Sequence, residues 1–99
     1  MAVYADDASL LPPNEMTVRG RAAIRARYKQ LFARSRMEVR FEADEVGVNG
    51  GAGFIRGRTI GRRVSADGRV EDLTGKFVML LRNGAGGWVI SALIWNADR

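Results

Sequence analysis

The chain has 99 residues, 46% hydrophobic and 27% charged, with a net charge of +5 and neither cysteine nor histidine. That excludes a disulfide, an ordinary zinc site, a cysteine nucleophile and a Ser-His-Asp triad, and with them most familiar hydrolase chemistry. The length fits a single domain over 1–99 with a thin core, and no apolar run approaches the ~18 residues of a membrane span. The acids and prolines of residues 1–20 stand where a secretory signal would need a basic start and an apolar stretch, so the expected location is cytoplasmic.

In chain order, YADDASLLPPN (4–14) reads as a chain leaving a helix and turning into a short strand near Ser9–Leu11. From Gly20 to Ser35 the apolar residues Ile24, Tyr28, Leu31 and Phe32 recur at helical spacing, which predicts one amphipathic helix. Seven basic residues and no acid lie between Thr17 and Met37. They read as a solvated face offset by Glu38, Glu42, Asp44 and Glu45 downstream, with no specific nucleic acid and no membrane as partner.

Met37, Val39, Phe41 and Ala43 alternate with charged residues, the mark of a half-buried strand; the apolar parity then shifts to Val46 and Val48, which predicts a bulge near Asp44–Glu45. NGGAG is a turn. Three further strands follow, GFIRGRTIGRRVS, VEDLTGKFVMLLR and WVISALIW, separated by Asp67-Gly68 and by NGAGG. The expected fold is α+β, a curved antiparallel meander packed on one main helix. A two-residue turn at Asp67-Gly68 would set Arg63 opposite Asp72, and Arg56 and Arg58 opposite Met79 and Phe77. A hairpin pairing Arg82 with Trp88 would set Trp95 over Gly75.

YADDASLLPPN, then VRGRAAIR, TGKFVMLLR and GGWVISALIWNAD, in that order and spacing, resemble the SnoaL-like branch of the nuclear transport factor 2-like superfamily, which includes ketosteroid isomerase and scytalone dehydratase. The resemblance implies a cone: a curved sheet around helices, enclosing an apolar cavity that binds or transforms a small hydrophobic molecule. It also implies an N-terminally shortened cone, since a long helix usually precedes the YADDA-type segment in relatives. Many relatives carry an acid just before the closing IWN; here that position is Leu93.

The expected cavity residues are Tyr28, Phe32, Arg56, Arg58, Phe77, Met79, Leu93 and Trp95. Asp72, Tyr28 and Asp44, with Glu42, are the only suppliers of a catalytic acid or base, and Asp72 could join Lys76 and Thr74 in a polar cluster at the cavity mouth. Each has a plainer reading: Asp72 in an ion pair with Arg63, the arginines at a sheet edge, and the aromatic residues as core. The functional expectation is binding of a small hydrophobic molecule without metal or cofactor. The alternatives are an isomerase, dehydratase or cyclase, and a dimerisation module with a vestigial cavity. A homodimer packed through its sheets is expected in either case.

Overall fold

The computed structural model describes residues 4–98. Its elements are β1 (Tyr4–Leu11), β2 (Val18–Arg19), α1 (Arg21–Arg34), β3 (Ser35–Asn49), β4 (Ala52–Ser65), β5 (Val70–Asp72), β6 (Gly75–Gly84) and β7 (Gly87–Ala97). The strands form one curved, unclosed sheet in the order β2, β1, β7, β6, β4, β3, with β5 paired to β4. With one helix packed against it, this is the expected α+β cone.

The sheet is mixed rather than antiparallel throughout, because β1 runs parallel to β7, with Leu10 beside Leu93 and Leu11 beside Ile94. The opening stretch is also strand from Tyr4 onward, not the tail of a helix. An irregularity between Tyr4 and Ser9 breaks the pairing with β7. Tyr4 and Ala5 are both buried while Asp6 and Asp7 are both exposed, so the period of two that marks a strand is lost there.

The helix forms where the apolar spacing placed it, but only its first half is packed. Ile24 is fully buried, whereas Phe32, two turns on, is 61% exposed. The core comprises Tyr4, Ala5, Ala8, Leu10, Ile24, Phe77, Ile90 and Leu93, drawn from β1, α1, β6 and β7. Its fully buried side chains are apolar, which is what holds α1 to the sheet.

Loop length corrects the expected register. Between β4 and β5 the Ser65 amide donates to Arg69 and the Gly68 amide to Ser65, each at 2.9 Å, so the loop has three residues, not two. Arg63 therefore faces Glu71, and Arg62 faces Asp72. The β4–β6 pairing keeps the same offset: Arg56 faces Val78, Arg58 faces Lys76, and Met79 and Phe77 face Ile55 and Gly57. One residue of register exchanges the faces of a strand, which moves Arg56 and Arg58 off the concave face. In the last hairpin a further shift between Leu80 and Leu81 puts Trp95 opposite Phe77 and Gly75 opposite Ala97. The bulge expected near Asp44 is present between Ala43 and Glu45.

The acids after the helix do not offset it. Glu38, Glu42 and Glu45 pair across the β3–β4 hairpin with Arg62, Arg58 and Arg56 at 2.8–3.0 Å. Two helix arginines instead find acids earlier in the chain: Arg21 pairs with Asp6, and Arg27 with Glu15.

At the bulge the hairpin strands approach closely, and a Cβ on Gly57 would stand 1.9 Å from the Glu42 carbonyl oxygen. Gly57→Ala is expected to lower stability by about 2 kcal/mol, roughly 10 °C in Tm for a domain of this size. Gly51→Ala, where nothing lies within 4 Å of the added carbon, should change stability by less than about 0.5 kcal/mol. Thermal denaturation of the two variants checks the pair.

Candidate functional site

Because α1 is packed only at its start, its second half overhangs the concave face of the sheet and leaves a groove of about 870 Å³. Tyr28, Leu31 and Phe32 form the helical wall, Met37, Val39 and Phe41 the β3 wall, and Leu93 and Trp95 the β7 side, with Pro13–Glu15 closing one flank. Tyr28 and Phe32 stack with ring centroids 6.1 Å apart, and Phe41 meets Phe77 edge to face at 5.0 Å. Phe41 is nevertheless 49% exposed.

Three polar features are built into these walls. The first is a pair of phenols: the hydroxyls of Tyr4 and Tyr28 lie 3.2 Å apart, and either can donate. Burial, reinforced by the bond to Tyr28, pushes the Tyr4 phenol well above the ordinary tyrosine range. A neutral Tyr4 that donates to Tyr28 leaves the Tyr28 proton for another acceptor, and Tyr28 lines the groove.

The second is Arg27, whose Nε and terminal nitrogen donate to the two Glu15 oxygens at 3.1 and 2.7 Å. That bond holds the Glu15 carboxyl below its usual range. The guanidinium carbon also lies 5.6 Å from the Trp95 ring centroid, a cation–π contact that fixes the indole as part of the wall. The third is the ion pair of Arg63 with Glu71, at the end of the groove near the β4–β5 loop.

The sequence-derived site residues separate into three groups. Tyr28, Phe32, Leu93 and Trp95 line the groove together, and Asp72 lines it as well. Phe77 is buried, with Met79 packed against the same core. Arg56 and Arg58 stand on the opposite face in ion pairs with Glu45 and Glu42, for the register reason given above.

Asp44 is exposed at the β3 bulge and is not part of the groove lining. Asp72 accepts the Thr74 amide at 2.9 Å, while Lys76 bonds to Asp98 at 2.5 Å. The strand breaks at Leu73–Thr74, so Asp72 lies on β5 and Lys76 on β6. Leu93 is buried, beside Leu10 on one strand and Met79 on the other, so the position of the family acid is apolar on both sides. Among the described residues no group of acids comes together to hold a metal ion, and no helix is long and apolar enough to cross a membrane.

Sequence reading did not reach Tyr4, Glu15 or Arg27, whose roles come from segments far apart in the chain. Met37, Val39 and Phe41 were visible as one strand face, but nothing in their spacing separates core from groove.

A SnoaL-like domain model matches residues 1–86. The chain belongs to the SnoaL-like family. Among solved structures it is similar to a ketosteroid isomerase-like protein from Erwinia carotovora atroseptica, with 25% identity over 99% of this chain and 78% of that one and a TM-score of 0.88. A nuclear transport factor 2-like protein with a cystatin-like fold from Novosphingobium aromaticivorans is 18% identical over 98% and 66% of the two chains, with a TM-score of 0.79. A protein from Catenulispora acidiphila in complex with S-DNPA is 17% identical over 98% and 75%, with a TM-score of 0.80. Comparison with curated proteins gives no match. The SnoaL-like domain thus has the fold of these neighbours.

The phenol pair gives a pH dependence. Unfolded Tyr4 ionises near the ordinary tyrosine value of about 10, while folded Tyr4 keeps its proton above that. Its contribution to stability is fully present below about pH 10 and is lost as pH rises from there toward the folded value, because the unfolded state releases its proton first. Urea denaturation from about pH 8 to pH 11 is expected to show a steeper alkaline loss for the wild type than for Tyr4→Phe.

Proposed function

We propose that the groove binds a small, largely apolar molecule with a ring-sized body and an oxygen acceptor. The observation that carries this reading is the uncovered aromatic and aliphatic surface facing the groove: Phe32, Phe41 and Val39 are exposed large hydrophobic residues whose apolar faces converge there. Apolar surface gathered in a concavity is the usual form of a small-molecule site. The Tyr28 hydroxyl, paired behind by Tyr4, supplies a donor for a carbonyl or phenol oxygen. The S-DNPA complex of the Catenulispora neighbour shares only the fold, and it supports the idea that this architecture accommodates a bound molecule.

A catalytic role as isomerase, dehydratase or cyclase draws on the same groove. It depends on Asp72 or Tyr28, because Leu93 brings no carboxylate to the inner end. Binding is therefore the first reading, and proton transfer the second.

Trp95 lines the groove, while Trp88 lies in the last hairpin, opposite Asn83 and outside the groove lining. In a Trp88→Phe background, titration with an aryl ketone is expected to give a saturable change in tryptophan fluorescence. Phe32→Ala, at an exposed site, should weaken binding about fivefold to tenfold, the loss of roughly 1 kcal/mol of apolar contact, with little change in Tm. A linear, non-saturating response in both proteins would remove the groove-binding reading.

A homodimer packed through the convex face is the proposed assembly. Leu80 and Ile94 are each 47% exposed, and Val78, paired with Ile94 across β6–β7, belongs to the same surface. Beside this strip, β3 and β4 carry the Arg–Glu pairs, rows of both signs that a two-fold axis can bring against each other. A second copy would bury on the order of 1,500 Å² in total. Light scattering at micromolar concentration is expected to give twice the chain mass for the wild type and a single chain for Leu80→Glu/Ile94→Glu. A wild-type monomer would exclude the dimer.

A further inference from the structure

We infer that the end of the groove beside the β4–β5 loop is an anion subsite, so that the ligand class is an amphiphilic acid: an apolar, ring-sized body ending in a carboxylate, sulfonate or phosphate group. This rests on the groove-binding reading above and adds to it the charge and orientation of the ligand.

A second hollow of about 390 Å³ adjoins the groove, and Leu31, Arg63, Arg69 and Glu71 line both. Its remaining walls are Arg34 from the last turn of α1, Ser35 at the start of β3, and Ser65 at the end of β4. Three guanidinium groups thus surround a space lined by a single carboxylate. Glu71 is committed to Arg63. Among the described residues the Arg69 guanidinium has one ionic contact, a long one with Asp67 at 3.5 Å between two exposed side chains, which is worth little in water. Arg34 has no ionic partner among the described residues.

The Ser35 hydroxyl donates to the Leu31 carbonyl at 3.2 Å, whereas the Ser65 hydroxyl has no protein partner among the described residues and remains able to donate. Planar, multidentate donors of this kind match an oxyanion.

The rest of the groove contrasts with this end. Its other arginine, Arg27, is held in two hydrogen bonds by Glu15 and stacked on Trp95. On the convex face Arg40, Arg56, Arg58 and Arg62 each have a carboxylate within 3.2 Å. A helix C-terminus favours a cation, which accounts for Arg34 alone. It does not account for Arg69 and Arg63 converging from a loop and a different strand. Among the arginines that line the groove and the adjoining hollow, those without a close carboxylate, Arg34 and Arg69, therefore lie where the apolar walls open, and a ligand seated against Trp95 and Phe41 can point its anionic end there.

Two fluorescent probes with the same aromatic body test this: anilinonaphthalene sulfonate, and N-phenylnaphthylamine, which lacks the sulfonate. With the full chain in chloride buffer, the wild type is expected to bind the sulfonate probe about tenfold more tightly than the neutral one. Raising salt to about 0.5 M should remove most of that preference. Arg34→Gln/Arg69→Gln, at two exposed positions, is expected to lose about tenfold for the sulfonate probe and nothing for the neutral one. Arg34→Gln alone should lose about threefold, so a fold defect in the double variant does not stop the test. Equal binding of the two probes by the wild type, or a sulfonate affinity unchanged by salt and by both variants, would overturn the anion subsite and leave the groove standing. Failure of both probes to bind would overturn the groove reading and this inference together.

Discussion

The structure depends on how α1 is fastened. The Gly20 amide donates to the Ala8 carbonyl at 2.8 Å, and Gly20 itself adopts φ 91°, a backbone that side-chain-bearing residues rarely accept. Ile24, one turn on, is fully buried with Ala8 and Leu10 of β1. That hydrogen bond and that buried side chain, with Arg21 donating to the Tyr4 carbonyl and paired with Asp6, hold the start of the helix to β1. The direction set there carries Tyr28, Leu31 and Phe32 out over the concave face instead of onto it. A groove is what remains between a helix held at one end and a sheet that curves beneath it.

Curvature is the other half of that geometry. The bulge between Ala43 and Glu45, and the close approach of Gly57 to Glu42, bend the β3–β4 hairpin. The two faces of the sheet then acquire different chemistry. Residues of one parity, such as Val39, Phe41, Thr59 and Trp95, line the hollow. Those of the other parity, Glu38, Arg40, Glu42, Arg56, Arg58 and Arg62, form a lattice of cross-strand ion pairs. Exposed pairs of this kind contribute little to stability individually. Their consequence is to hold Arg40, Arg56, Arg58 and Arg62 on the outer face, away from the hollow.

The polar groups that line the hollow are mostly engaged with one another or with the backbone. Tyr4 stays protonated because it is buried against Tyr28. Arg27 is neutralised by Glu15, and Leu93 occupies the place where a family acid would stand. Such a lining orients a molecule better than it moves a proton. Asp72, a carboxylate that does line the hollow, accepts the Thr74 amide.

The helix over residues 21–34, the alternation in β3, the bulge at Asp44 and the glycine turns were all legible in the sequence, because each is a local consequence of side-chain spacing or of backbone freedom. With the YADDA, VRGRAAI and IWNAD segments they sufficed for the cone and the family. The length of the Ala66–Gly68 loop was not legible: two or three residues are equally compatible with Asp-Gly, and only the hydrogen bonds of the folded hairpin choose. That single residue placed Arg56 and Arg58 outside the groove and gave Arg63 to Glu71. The parallel contact of β1 with β7 was equally hidden, since it joins the two ends of the chain and leaves no periodic trace in either. Spacing along the chain determined which residues share a face. Long-range pairing, set by burial and backbone hydrogen bonds over the whole molecule, decided which of those faces encloses the groove.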